Sequence, residues 1–244
     1  MKQTVKSAAM ESCMVILLTM VYLWEVGDGQ NGEAGWYAGL YGVWMESMDY
    51  IKAGVWIVPF WSVLVYAFKE LPQELGERLF MTSIRYSSCV EYMRQLFLKT
   101  IRKAVGMGCV NCLWFIVVCT AEADIFGYQS WINWKHICQA VVLYILGVVL
   151  FSAVSFWVYA LSQNLYLVWG SQIAFFSILF FVSYMPEWMV RVLPVFWTSL
   201  IYSSEFWKDG YEIWPVLLLE ILLMAGIYVF GNGVCKQRKL GVLR

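Results

Sequence analysis

Between Ile137 and Leu161 the chain runs for 25 consecutive residues without one charged side chain. A bilayer core about 30 Å thick is crossed by roughly 20 helical residues, so this run is long enough to span one. A helix apolar on every face must lie in lipid or be wrapped entirely in protein. The remainder of the 244-residue chain decides between these, with 61% of residues hydrophobic and 14% charged. Soluble domains hold about 45–50% apolar and 25% charged residues, and a globule of this size has no means of hiding the excess. Disorder, coiled coil and disulfide scaffold are excluded on the same grounds. The composition predicts an all-α integral membrane protein.

Six apolar segments are expected to span, near 8–25, 53–68, 104–121, 137–161, 167–185 and 213–230, making 1–244 a single transmembrane domain. Pro59 should loosen the second. Lys2 and Lys6 precede the first, which ends at Trp24-Glu25-Val26-Gly27-Asp28 without a small-x-small cleavage site, so an uncleaved span is expected. Placing both termini in the cytoplasm puts 13 of the 17 basic residues inside, leaving Lys52, Lys135, Arg191 and Lys208 outside. That asymmetry is the positive-inside signal. The equal count of 17 Lys+Arg and 17 Asp+Glu leaves no nucleic-acid footprint on the chain as a whole.

The cytoplasmic loop 69–103 carries 11 of the 34 charged residues, more than any other loop. Pro72 suits a first helical turn, so a short helix should begin near Leu71. Ser88-Cys89-Val90-Glu91 fits a capping box, and Cys89, Met93, Phe97 and Ile101 recur at four-residue spacing. The helix they imply lies on the membrane surface or leads straight into the third span. The outer loops 26–52 and 186–212 are rich in tryptophan and tyrosine and should lie in, or dip into, the interface.

Chemistry is sparse. His136 is the one histidine, too few for a metal site of the His-rich type. Gly170-Ser171 lacks the turn that presents a nucleophilic serine. Cys109-Val110-Asn111-Cys112 falls inside the third span, where core packing is the simpler reading, and the seven cysteines sit mostly in apolar runs. No phosphate-binding loop is present. Glu11 and Glu25 are expected at the boundaries of the first span. Glu220 lies among Val216-Leu217-Leu218-Leu219 and Ile221-Leu222-Leu223, where a carboxylate needs a protein or aqueous neighbour. It is the candidate substrate or assembly site within the membrane.

The stretch Lys69-Glu70-Leu71-Pro72-Gln73-Glu74-Leu75-Gly76-Glu77-Arg78-Leu79-Phe80-Met81-Thr82-Ser83-Ile84-Arg85-Tyr86-Ser87 is similar to a segment of the permease subunits of type-two ABC exporters. The six-span plan and the Met185-Pro186-Glu187-Trp188 to Leu193-Pro194 stretch, similar to the re-entrant hairpin before the last span of that family, extend the resemblance over the chain. It implies a coupling helix between spans two and three that docks on a separate ATPase. The docking residues would be Glu74, Glu77, Arg78, Leu79, Phe80 and Arg85. It further implies two ATPase subunits holding ATP and Mg, no cofactor in this chain, a second permease subunit (identical or homologous), and a bacterial cell membrane with its lipids. The cargo expected is a peptide, drug-like or lipid-like molecule. A non-transport membrane scaffold or immunity protein, and a membrane-embedded enzyme, are the rival classes.

Overall fold

A computed structural model of the chain describes residues 50–75, 89–126, 133–178, 181 and 184–237. The expected first span 8–25, most of the outer loop 26–52, both termini and the segment 76–88 lie outside the described residues, as does the Ser88 cap. The described residues form no strand, and three of their helices are long and apolar enough to cross a bilayer: Val90–Val118, Trp134–Ser162 and Ile213–Val234. The described residues are those of a helical membrane protein.

Helix α1 spans Tyr50–Phe68 and contains Pro59, and α2 is the single turn Leu71–Leu75 that the sequence places there. Helix α3, Cys89–Phe126, is 38 residues long, so the charged helix runs without a break into the third span. At 1.5 Å per residue it measures roughly 57 Å, far beyond the membrane core. Helix α4, Trp134–Ser162, starts at Asn133, whose side chain accepts from the amides of Lys135 and His136. It ends at Gln163, whose φ of 52° is the left-handed stop common at helix ends. Helix α5, Leu165–Ser177, is capped by Asn164 and has only 13 residues, whereas the apolar run suggested 167–185. Residues 179–180 and 182–183 of that run lie outside the described residues. Short helices α6 (Glu187–Val192) and α7 (Pro194–Trp197) and a 3₁₀ turn, Leu200–Tyr202, precede α8, Ile213–Gln237.

Contacts fix the helix directions. Pro59 meets Asn111 while Glu70 meets Lys103, so α1 and α3 are antiparallel. Phe97 packs on Trp157 while Gly108 faces Ile145, which sets α3 against α4. Gln172 bonds Ser155 and Phe176 packs on Phe151, which sets α5 against α4. Helices α1, α3, α4 and α5 thus alternate in direction along the chain, as successive membrane crossings do. Helix α4 lies at the centre and touches each of the others. Phe60 of α1 inserts edge-on between Tyr144, Phe151 and Phe176, at ring separations of 5.1–5.5 Å. Toward the basic end Phe97 meets Phe156 edge-on, stacks on Trp157 and lies tilted against Tyr228. Edge-to-face rings add about 0.5–1.5 kcal/mol per pair beyond the area they bury. Asn111 braces the middle, donating to the Pro59 carbonyl at 3.0 Å and lying 3.3 Å from Ser62 Oγ.

Candidate functional site

Two places in the fold concentrate polar groups that the packing alone does not require. The first is the corner between α2 and α3. Glu70 and Glu74 stand one helical turn apart, as do Lys99 and Lys103, so the pairs interlock as a ladder. Lys99 Nζ lies 3.1 Å from Glu74 Oε1 and 3.3 Å from Glu70 Oε2, and Lys103 Nζ lies 2.7 Å from Glu70 Oε2. The Lys103 hydrogen bond, against modest burial, holds the Glu70 carboxyl below the usual carboxylate range. Tyr92 adds a bond from its hydroxyl to the Glu74 carbonyl at 2.9 Å. Of the six docking residues expected from the sequence, Glu74 alone is described, and its side chain is turned onto Lys99. Glu77, Arg78, Leu79, Phe80 and Arg85 lie outside the described residues. Leu71 and Leu75 are buried and anchor α2 to the bundle.

The second place is the segment 186–212, which folds back into the bundle. Gly147 lies next to the midpoint of α4, and a Cβ added there would overlap Thr198 Cγ2. Glu205, in contrast, sits at the start of α4 against Lys135, His136 and Gln139. Thr198 is therefore some 16 Å deeper along α4 than Glu205, taking the helical rise between positions 136 and 147. Irregular backbone at that depth must find its hydrogen bonds within the protein, and it does. Tyr211 Oη donates to the carbonyls of Ser199 (2.8 Å) and Trp197 (3.2 Å), and Trp197 Nε1 donates to the Arg191 carbonyl at 2.8 Å. A Cβ on Gly210 would strike the Tyr202 and Ser203 backbone, so only glycine permits the chain to return there.

Glu220 lies below this segment. It is fully buried, and neither carboxyl oxygen has a hydrogen-bonding partner among the described residues. Helices α4 and α8 run in the same direction, with Gly231 of α8 pressed on the Trp157 indole of α4. Counting back along both helices from that contact brings Glu220 close to the level of Gly147. A buried acid without donors is costly, and by that count it stands near the level where the segment 186–212 meets α4.

The remaining candidates resolve into structural roles. His136 Nε2 is 3.1 Å from Glu205 Oε2, and its ring lies 4.9 Å from that of Phe206, which makes it part of a latch on the re-entrant segment. Burial pushes the Glu205 carboxyl up, yet hydrogen bonds from Lys135 and Gln139, with the charges of Lys135 and His136, together hold it below the ordinary range. Cys109 and Cys112 are free thiols, the first exposed and the second packed in the core. No group of three potential metal ligands occurs among the described residues. The Glu–Lys ladder was not anticipated from the sequence; the signal for it was the matched four-residue spacing of two acids and two lysines. Comparison with protein-family models, with curated proteins and with solved structures finds no match to this chain.

Proposed function

We propose that this chain is the permease subunit of a type-two ABC exporter, a multi-pass protein of a bacterial cell membrane with both ends and the α2–α3 corner in the cytoplasm. Six spans are assigned, five of them to α1, α3, α4, α5 and α8. The observation that carries the reading is the segment 186–212, which descends to the middle of α4 and returns to begin the last long helix. Alternating helix directions and a charged corner between the second and third spans support the same plan. In this reading two separate ATPase subunits hold ATP and Mg. Their closure reaches the membrane through the stretch 70–88, and a second permease subunit completes the pathway. Glu220, buried under the re-entrant segment, stands beside the route of an amphipathic peptide, drug-like or lipid-like cargo.

The test is physical association. Charge reversal at Glu77 and Arg78 combined with Phe80→Ala should abolish co-purification of the ATPase partner while leaving membrane insertion intact. Normal ATPase retention by the triple variant would sink the docking assignment. Absence of any ATPase partner for the unmodified chain would instead leave a scaffold or immunity protein as the better account.

A further inference from the structure

A cleft of ≈ 550 Å³ opens between α2 and α3, lined by Glu74, Tyr92, Gln95, Leu96, Lys99, Arg102 and Lys103. Its charges do not cancel. Two carboxylates, Glu70 and Glu74, meet two ammonium groups, Lys99 and Lys103, in the ladder already described. Arg102 is left over: it is exposed and makes no ion pair among the described residues. Glu74 is the one carboxylate on the cleft wall, and Lys99 covers it at 3.1 Å. An incoming anion therefore meets three cationic groups against the one carboxylate on the cleft wall.

Depth narrows the class of anion. From Ala104 to Ala121 helix α3 carries no charge, so Arg102 and Lys103 are the last cations before the apolar span. Cations at this boundary sit at the level of lipid phosphates, and basic pockets between helices on that side recruit anionic headgroups. A guanidinium offers a planar pair of N–H donors that matches two phosphate oxygens, which an ammonium does not. Tyr92 and Leu96 are both buried and furnish an apolar floor beneath the glycerol backbone.

We propose that the α2–α3 cleft binds the phosphodiester headgroup of an anionic phospholipid, with Arg102 as the forked contact and Lys99 and Lys103 as flanking donors. The site rests on the membrane reading and not on the exporter assignment, so it stands or falls independently of any ATPase. Occupancy would fasten α2 to α3 at the corner through which the exporter reading passes its signal.

The test is lipid retention by the full-length protein in neutral detergent, read by native mass spectrometry. Phosphatidylglycerol and phosphatidylcholine of identical chains are the probes, and inorganic phosphate is the competitor. Preferential retention of phosphatidylglycerol is expected, reduced about fivefold in Arg102→Gln, which is the share of one interfacial cation. Arg94→Gln, exposed on the same helix but outside the cleft, should retain the lipid as the unmodified chain does. Equal retention by Arg102→Gln overturns the site, and an equal loss in Arg94→Gln overturns it in favour of diffuse charge attraction. Displacement of phosphatidylglycerol by millimolar phosphate on the unmodified protein would reassign the cleft to a soluble phosphate. That last measurement needs no variant and holds even if Arg102→Gln fails to fold.

Discussion

Helices α4 and α8 invite comparison because they are alike in almost everything that hydropathy measures. Both are long and apolar, and both run in the same direction side by side. Yet 56% of the most apolar window of α4 is buried in protein, against 17% of that of α8. Lipid tails are as apolar as leucine, so greasiness alone does not decide which helix takes the centre. Small and polar positions decide it. Helix α4 buries Ala140, Gly147, Ser152, Ala153 and Ser155, which let α3, α5 and the re-entrant segment approach its backbone. Helix α8 turns Trp214, Leu218, Ile221, Leu222, Val229 and Phe230 outward and keeps a narrow inner stripe that includes Glu220 and Gly231.

Glycine replacements break this comparison most directly. Gly147→Val should be the most damaging single change, because its side chain would occupy the space of Thr198 and crowd Phe60 at 3.6 Å. The loss should approach about 3 kcal/mol, the upper range for overpacking, seen as a large drop in thermal stability in detergent. On α8 the same substitution should separate two glycines five residues apart. Gly231→Val would collide with the Trp157 indole, whereas Gly226 has nothing within 4 Å. Only the first should lower stability, by about 1–3 kcal/mol. Comparable losses at Gly226 would mean that a partner helix covers that face.

The helices themselves were legible: their apolar runs located α4 to within three residues at each end and α8 from its first residue, Ile213, although α8 continues seven residues past the expected 230. The end of the fifth apolar run falls partly on residues outside the described ones, and nothing in its sequence between Leu167 and Met185 marks a helix end. The segment 186–212 stood out by its prolines and aromatics, but its approach to the middle of α4 depends on one glycine there. Glu220 announced itself by charge. The Glu70–Lys103 and Glu74–Lys99 pairs did not, because ordinary surface lysines and glutamates share that composition, and the pairing is made by a fold-back of α2 that no local pattern encodes.

Asn111→Leu probes the polar side of the same contrast, where α4 is held by hydrogen bonds as well as by fit. The amide, on α3, joins Pro59 and Ser62 of α1 to Tyr144 of α4. Hydrogen bonds between membrane helices average about 0.6 kcal/mol, so a loss near 1 kcal/mol is expected, with the Tyr144 hydroxyl left without its amide donor. A change larger than that of Gly147→Val, measured by the same melt, would reverse the ranking of fit over polarity.

The smallest expected effect lies at the mouth of α4, where Glu205 ties the re-entrant segment to Lys135, His136 and Gln139. Its carboxyl is held below the ordinary range in the folded state. A lowered folded value means that the ionised form favours folding, so the contribution is fully present above the unfolded value, near pH 4.3. It fades as the pH falls through the lower folded value. Partly exposed ion pairs contribute about 0–1 kcal/mol, so Glu205→Gln should cost about half a kcal/mol at neutral pH. In acid, below the folded value, the variant and the unmodified chain should converge. Salt should narrow the gap at neutral pH, since the charges face water. Helix α8 offers the control: Glu212 is exposed beside its first turn and in no ion pair among the described residues, so Glu212→Gln should leave stability at neutral pH unchanged. If Glu212→Gln costs as much at neutral pH as Glu205→Gln, the latch at the head of α4 is not what holds the segment in place.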